Sequence, residues 1–184
     1  LGEHGWFDKR WMYEESFRMP FLIKCPGKIK PGTVSNDLIM NIDFAPTLLD
    51  FAQLKSPEEM QGKSFKSSFS DTSTAFRESV YYHYYEYPIW HKVQPHYGIR
   101  TERYKLIHFY YSMDEWELYD LENDPQEINN IYQNAPDSLV QFLKTKLIKS
   151  QKEYMDNVSL EEMKLMTDTI ITRVYNEPNK LKNK

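Results

Sequence analysis

The stretch of sequence that decides the fold is 97–111, which reads YGIRTERYKLIHFYY. It contains two runs rich in aromatic and aliphatic residues, 97–101 and 104–111, separated only by Glu102 and Arg103. Two β-prone runs with so short a connection predict an antiparallel hairpin. We therefore place a β-hairpin at the centre of the predicted fold.

The second run of this hairpin alternates in a regular way. Because successive side chains of a strand point to opposite faces, Leu106 and His108 share one face, and Ile107 and Phe109 share the other. A histidine in such a position is expected to be a sheet residue with a hydrogen-bonded ring rather than a ligand.

Further elements lie on both sides of the hairpin. The aromatic runs 78–85 and 116–119 predict two more strands and hence a small antiparallel sheet of about four strands. A helix is expected from Asn134, with apolar residues at helical spacing that cover one face of the sheet. A last helix follows Ser159, which forms a predicted capping box with Glu162.

The region before the sheet has a different character. The short apolar run 20–23 precedes a turn at Cys25-Pro26-Gly27 and predicts a strand buried on both faces, as in a parallel sheet. Asp43 is expected to cap a helix with Pro46 in its first turn. These elements predict a piece of a larger α/β sheet, so the fold class is α/β with an α+β subdomain.

The chain is therefore predicted to have four parts. Residues 1–66 carry a loop, a strand and a helix of the α/β region, and 67–77 form a Ser/Thr-rich linker. The antiparallel sheet and its helix occupy 78–156. An extra helix and a frayed tail make up 157–184.

Composition excludes several classes of function. The chain has 184 residues and a formal net charge of −4, so no chain-wide positive field exists for nucleic acid or an acidic membrane. No apolar run is long enough to span a bilayer. The single cysteine, Cys25, cannot form an intrachain disulfide, and the five histidines lack the spacing of a helical zinc site. We therefore expect no nucleic acid, no membrane and no metal bound by this chain alone.

The densest candidate site is 4–15, which reads HGWFDKRWMYEE. Lys9 and Arg10 beside Asp8 suit an oxyanion on a sugar or another hydroxylated molecule, because cations neutralise the anion while a carboxylate accepts hydroxyl protons. The alternative is a solvated surface turn with long charged side chains. Spacing alone does not decide between them.

Two other features remain as candidates. His96 stands between Pro95 and Gly98, which indicates a loop, and loops held by a sheet are where binding residues collect. The run 81–85, YYHYY, either stacks sugar rings or packs on both faces of a strand. No Ser or Cys lies in a recognisable nucleophile motif.

Several motifs, in order, carry a resemblance to a known family. They are Leu-Gly-Glu-His-Gly at 1–5, Lys9-x-x-x-Tyr13-Glu14, Arg18-x-Pro20, Ile-Arg-Thr-x-Arg-Tyr-Lys-Leu-Ile at 99–107, Glu-Leu-Tyr-Asp-Leu at 117–121, Asp124-Pro125 and Glu127-x-x-Asn130. Together they resemble the C-terminal part of a formylglycine-dependent sulfatase of the alkaline-phosphatase-like superfamily. The segment 8–14 is most similar to the subgroup that acts on 6-sulfated N-acetylglucosamine in glycosaminoglycans.

The resemblance implies roles for individual residues. Lys9 matches the family lysine that contacts the sulfate group, which makes it the expected catalytic residue. Asp8 and Arg10 flank it as substrate-binding residues. His96 is expected to bind sugar hydroxyls, and His4 either does the same or braces the loop.

The resemblance also implies groups that these motifs do not supply. Calcium and formylglycine are expected in the full-length enzyme, whereas Cys25 lacks the family's Cys/Ser-x-Pro-x-Arg context. We therefore expect the chain to be inactive without the N-terminal catalytic part of the same protein, to act on a sulfated glycan, and to be periplasmic or secreted. A phosphodiester or phosphonate ester hydrolase and a non-catalytic glycan-binding or interaction domain are the alternatives.

Overall fold

The computed structural model describes residues 2–69, 75–88 and 91–176, and it divides the chain into two compact units. One unit combines Leu1–Met19 with Tyr81–Lys184, and the other is Pro20–Val80. Part of the predicted linker, 70–74, and the predicted frayed tail, 177–184, lie outside the described residues. The four-part division of the chain stays a prediction.

A four-stranded sheet forms around the predicted hairpin. Its strands are β1 Ser79–Tyr84, β2 His96–Thr101, β3 Tyr104–Phe109 and β4 Glu115–Asp120, in the spatial order β1-β2-β3-β4. β2 and β4 both pair with β3 in the antiparallel sense. The register sets Lys105 opposite Arg100 on one side and Tyr119 on the other. The predicted sheet is confirmed.

The described part of the chain contains four α-helices. They are α1 Glu14–Phe17, α2 Phe44–Phe51, α3 Asp137–Glu153 and α4 Leu160–Ile171. Short 3-10 turns lie at Glu3–Gly5, Asn41–Asp43 and Lys66–Phe69, and a π-helical turn at Thr172–Asn176 follows α4. None of the described helices is both long enough and apolar enough to cross a membrane.

The helix starts follow the local chemistry of the sequence. The capping box of α4 is confirmed, because the Glu162 N–H donates to Ser159 Oγ and the Ser159 N–H donates to the Glu162 carboxylate. The helix predicted from Asn134 begins instead at Asp137. The Asn134 N–H donates to the Ile131 carbonyl in a preceding turn, and Pro136 takes the N-cap position.

One face of the sheet is covered by α3 and α4, as the sequence predicts. Ile99, Leu106 and Leu118 from the sheet are fully buried there. The helices contribute Val140, Leu143, Leu147 and Met163 to the same core cluster. The alternation predicted for β3 is confirmed, since Leu106 belongs to this cluster and Ile107 to the cluster on the opposite face.

The opposite face is covered by the chain's own beginning, residues 2–17, which we call the N-terminal segment. Its Trp11, Met12 and Tyr13 are buried against Tyr84 of β1, Ile107 and Phe109 of β3, and Tyr119 of β4. The aromatic run of β1 therefore packs on both faces, because Tyr81 contacts the helix-side cluster while Tyr82 and Tyr84 contact the segment-side cluster.

The Pro20–Val80 unit is built around the buried Asp43. Its carboxylate accepts hydrogen bonds from both terminal nitrogens of Arg77, at 2.6 and 2.8 Å, and from the N–H groups of Met40 and Lys63. The predicted helix is present as α2, and Asp43 occupies its N-cap position. Its carboxylate accepts hydrogen bonds from these partners and from none of the N–H groups at the start of the helix.

The strand predicted at 20–23 is wrong. The structure assigns no strand there, and Leu22 is 96% exposed. A strand persists only when its N–H and C=O groups are paired, and no strand among the described residues pairs with this run. A short apolar run is therefore not sufficient evidence for a strand.

Candidate functional site

Lys9 stands on a tight turn of the N-terminal segment. Asp8 Oδ1 accepts hydrogen bonds from the backbone N–H groups of Lys9, at 2.6 Å, and Arg10, at 3.1 Å. Asp8 adopts a φ of 139°, in the region that favours glycine, so the turn has a backbone conformation that its side-chain bonds must maintain. The Lys9 side chain is exposed at the tip of this turn.

Asp8 and Arg10 lie together in a small charged cluster. Arg10 Nη1 donates to Asp8 Oδ1 at 2.8 Å, and Arg10 Nε donates to Glu86 at 3.0 Å. His91 Nδ1 lies 3.0 Å from the second Asp8 oxygen. Partial burial opposes ionisation, but the Arg10 guanidinium and the Lys9 N–H hold the pKa of Asp8 below its usual value. Both carboxylate oxygens of Asp8 thus have partners within the protein.

Two aromatic residues precede this turn. Trp6 is 39% exposed and stacks on the buried Trp11, with ring centroids 4.6 Å apart, and Phe7 is 82% exposed. An exposed cation beside accessible aromatic rings is an arrangement that fits a charged, partly apolar ligand such as a sulfated sugar.

His4 lies in the turn Glu3–Gly5 with a φ of 57°. Its ring stacks on Tyr13 at a centroid separation of 4.1 Å, and its Nε2 lies 3.3 Å from a Glu15 carboxylate oxygen. These contacts join His4 to the start of α1, and its role in bracing the loop stays a prediction. A contact between His4 and a sugar stays a prediction.

His96 opens β2, so the expectation of a loop position is wrong. The ring has no exposed surface, its Nδ1 lies 2.7 Å from the Gln94 carbonyl oxygen, and it stacks behind Trp11. Burial lowers the pKa of His96 to about 4. Because the ring has no exposed surface, direct contact with a sugar would require its neighbours to move, and the sugar-binding role of His96 stays a prediction.

A second charged cluster lies where the N-terminal segment meets the sheet. Glu14 starts α1, and its carboxylate accepts hydrogen bonds from Arg100 of β2 and lies against Lys105 of β3. The Glu14 N–H donates to the carboxylate of Glu127, in the loop after β4. The sequence motifs include all four residues, but sequence reasoning assigned none of them a role. The available signal was a lysine within the apolar run of β3.

One group of side chains has the geometry of a cation site. Ligand atoms of His4, Glu15 and Glu127 lie within 4.8 Å of one another. The Lys105 ammonium, 2.6 Å from Glu127 Oε1, already supplies a cation there, and calcium prefers six to eight oxygen ligands. This set does not fit the calcium that the resemblance implies, and Cys25 does not fit a formylglycine precursor.

Comparison with known proteins defines the class of protein: the chain is the C-terminal part of a sulfatase. The family model of the N-sulphoglucosamine sulphohydrolase C-terminal region matches residues 2–153, and the chain belongs to this family. The resemblance found in the sequence motifs is confirmed.

Individual relatives agree with this assignment. The chain is 52% identical to an N-acetylglucosamine-6-O-sulfatase of Bacteroides thetaiotaomicron over 161 residues, which are 85% of this chain and 29% of that protein. It is 31% identical to an arylsulfatase of Clostridium perfringens, over 87% of this chain and 34% of the relative.

A solved structure is also similar. It is that of BT4656 in complex with its substrate D-glucosamine-2-N,6-O-disulfate, with a TM-score of 0.82 and 50% identity over 88% of this chain and 33% of that one. The chain thus spans about a third of the length of the relatives that it matches.

Proposed function

We propose that this chain is the substrate-binding C-terminal part of a sulfatase that hydrolyses sulfate esters, with the 6-O-sulfate of N-acetylglucosamine or glucosamine units as its substrate class. The observation that carries the proposal is the exposed Lys9 on a turn fixed by Asp8 and Arg10. The 52% identical relative named for 6-O-sulfatase activity supports the choice of sugar.

The chemistry of Lys9 suits a sulfate ester. An ammonium is a compact charge that matches a tetrahedral oxyanion, and its attraction grows as negative charge develops on the leaving oxygen. Because hydrogen bonds hold the backbone of the turn before substrate arrives, only the Lys9 side chain remains to be ordered when the sulfate binds.

The neighbouring residues would bind the sugar. Asp8 and Arg10 lie beside Lys9, and exposed rings at Trp6 and Phe7 offer apolar surface for a pyranose face. His4 and His96 complete the proposed substrate-binding set, and the buried His96 ring would act through the Trp11 ring stacked on it. The proposal places the sulfate on Lys9 and the sugar along the N-terminal segment.

The nucleophile and the metal ion of the reaction are proposed to belong to another part of the complete protein. Formylglycine would supply the nucleophile and calcium would polarise the sulfate oxygens, both outside the residues described here. The N-terminal catalytic part is therefore the proposed partner, and a periplasmic or secreted location is proposed from the family resemblance alone.

The test is the Lys9→Ala substitution in the complete protein, assayed on N-acetylglucosamine 6-sulfate. We expect kcat to fall by roughly 10²-fold or more, about 2.7 kcal/mol, with a smaller change in KM, because the interaction strengthens in the transition state. Lys152→Ala, an exposed lysine on α3, is the matched control and should leave both constants unchanged.

Two results would count against the proposal. Unchanged kinetics in Lys9→Ala would remove Lys9 from the reaction. A wild-type protein that hydrolyses phosphonate or phosphodiester substrates in preference to sulfate esters would support the alternative hydrolase.

A further inference from the structure

Four charged side chains meet inside the unit that contains the sheet: Glu14, Arg100, Lys105 and Glu127. Lys105 has no exposed surface, and its Nζ lies 2.8 Å from Glu14 Oε1 and 2.6 Å from Glu127 Oε1. Arg100 Nη2 lies 3.2 Å from Glu14 Oε2. Two cations thus balance two carboxylates, and we call this group the Lys105 network.

The network holds the N-terminal segment through one residue. The Glu14 N–H donates to Glu127 Oε2 at 2.6 Å, while the Glu14 carboxylate faces Lys105 and Arg100. Burial disfavours the charged form, but Lys105 and Arg100 keep the pKa of Glu14 below its usual value. Both the backbone and the side chain of Glu14 are therefore fixed to the sheet.

The distance along the chain from this fixed point to Lys9 is short. Glu14 follows Lys9 by five residues, and the residues between include Trp11, Met12 and Tyr13, all buried against the same face of the sheet. A shift of Glu14 would therefore be transmitted to the turn that carries Lys9, because close-packed side chains move together.

Stability alone does not explain such a network. Burying charges costs several kcal/mol per ion before pairing, and apolar side chains of similar volume often stabilise a core equally well. Directed ion pairs also fix the position of the Glu14 carboxylate, because Arg100 of β2 and Lys105 of β3 approach it from fixed positions.

We propose that Lys105 and Glu127 are positioning residues for sulfate ester hydrolysis, which act through Glu14 to fix the N-terminal segment and with it Lys9. This inference rests on the proposed function of Lys9. None of these residues is assigned contact with substrate; their effect on the reaction passes through the position of the segment.

The experiment compares Glu14→Gln and Lys105→Met with Asp156→Asn in the complete protein. Glu14→Gln keeps the side-chain shape and the N–H bond to Glu127, so it tests the network even if Lys105→Met does not fold. Asp156 is a matched control, because its buried carboxylate accepts hydrogen bonds from Tyr81 and Tyr85 and lies beside His83, on the helix side of the sheet.

Three quantities are measured for each variant: kcat and KM on N-acetylglucosamine 6-sulfate, amide hydrogen exchange across 6–14, and the melting temperature. We expect Glu14→Gln and Lys105→Met to lower kcat about tenfold or more and to accelerate exchange in 6–14, because small misplacements of a reacting group are costly. Asp156→Asn should lower the melting temperature without either change.

Other outcomes separate the two proposals. If Glu14→Gln leaves both kcat and exchange unchanged, or Asp156→Asn reproduces its effects, the positioning role is wrong. If Lys9→Ala itself retains full activity, the proposed function fails, whereas loss in Lys9→Ala together with wild-type kinetics in Glu14→Gln overturns the positioning role only.

Discussion

His96 illustrates how position in the fold sets the chemistry of a single side chain. The ring lies at the start of β2 with no exposed surface, between Trp11 of the N-terminal segment and Phe109 of β3. Burial lowers its pKa to about 4, because the apolar surroundings disfavour the charged ring. The residue is therefore neutral at neutral pH and acts as part of the support beneath Trp11.

A pH dependence of stability follows from this burial. The unfolded state, with an ordinary histidine pKa of about 6.5, binds more protons than the folded state between about pH 4 and 6.5. Stability is thus fully present above this window and falls as the pH is lowered through it. We expect His96→Gln to show a shallower fall in the free energy of unfolding between pH 7 and 4 than the wild type.

The control for this measurement is Gln141→Ala, an exposed position on α3 that carries no ionisable group. Its slope should match that of the wild type. Identical slopes for wild type and His96→Gln would contradict the buried, neutral ring.

Sequence reasoning could find the candidate residues but not their partners. Asp8, Lys9 and Arg10 are adjacent in the chain, so their cluster was visible in the sequence, whereas Glu86 and His91 reach it only through the fold. His96 was misread because Pro95 and Gly98 indicated a loop. Gly98 instead lies within β2, where the close approach of another chain segment requires a glycine.

At the scale of elements, the sheet is a layer with a different cover on each face. Helices α3 and α4 pack on one face, and the N-terminal segment packs on the other. Met12 of the segment lies directly over Gly98, where a Cβ would stand 2.7 Å from Met12 Sδ and would also meet the Leu106 carbonyl. The absence of a side chain at Gly98 therefore allows the segment to lie close to the strand.

The expected result of Gly98→Ala follows from this contact. The added methyl group must displace both Met12 and the backbone of β3, which costs about 1–3 kcal/mol in a packed core. Denaturant unfolding of the wild type, Gly98→Ala, Met12→Ala and the double variant measures it. We expect the double variant to be less destabilised than the sum of the single ones, because Met12→Ala removes one of the two clashes.

Strict additivity in this cycle would show that Met12 does not lie over Gly98.

The hairpin itself was predictable, since alternation and a two-residue turn are local signals. The strand expected at 20–23 was not, because a strand depends on a hydrogen-bonding neighbour that local sequence does not reveal.

At the scale of the whole molecule, the chain corresponds to one part of the longer sulfatases that it matches. It belongs to the sulfatase C-terminal family and spans about a third of the relatives that it matches. The described residues present an exposed lysine but no set that fits calcium. The proposed division of labour is therefore that this chain binds and orients the sulfated sugar while the N-terminal catalytic part supplies the nucleophile.

The most direct test of the proposed contact between Lys9 and the sulfate group is a crystal structure of the complete protein with N-acetylglucosamine 6-sulfate bound. Lys9 Nζ is expected to lie within hydrogen-bonding distance, about 2.7–3.2 Å, of a sulfate oxygen, with the sugar beside Asp8 and Arg10. A sulfate bound elsewhere, with the Lys9 ammonium left in solvent, would contradict it.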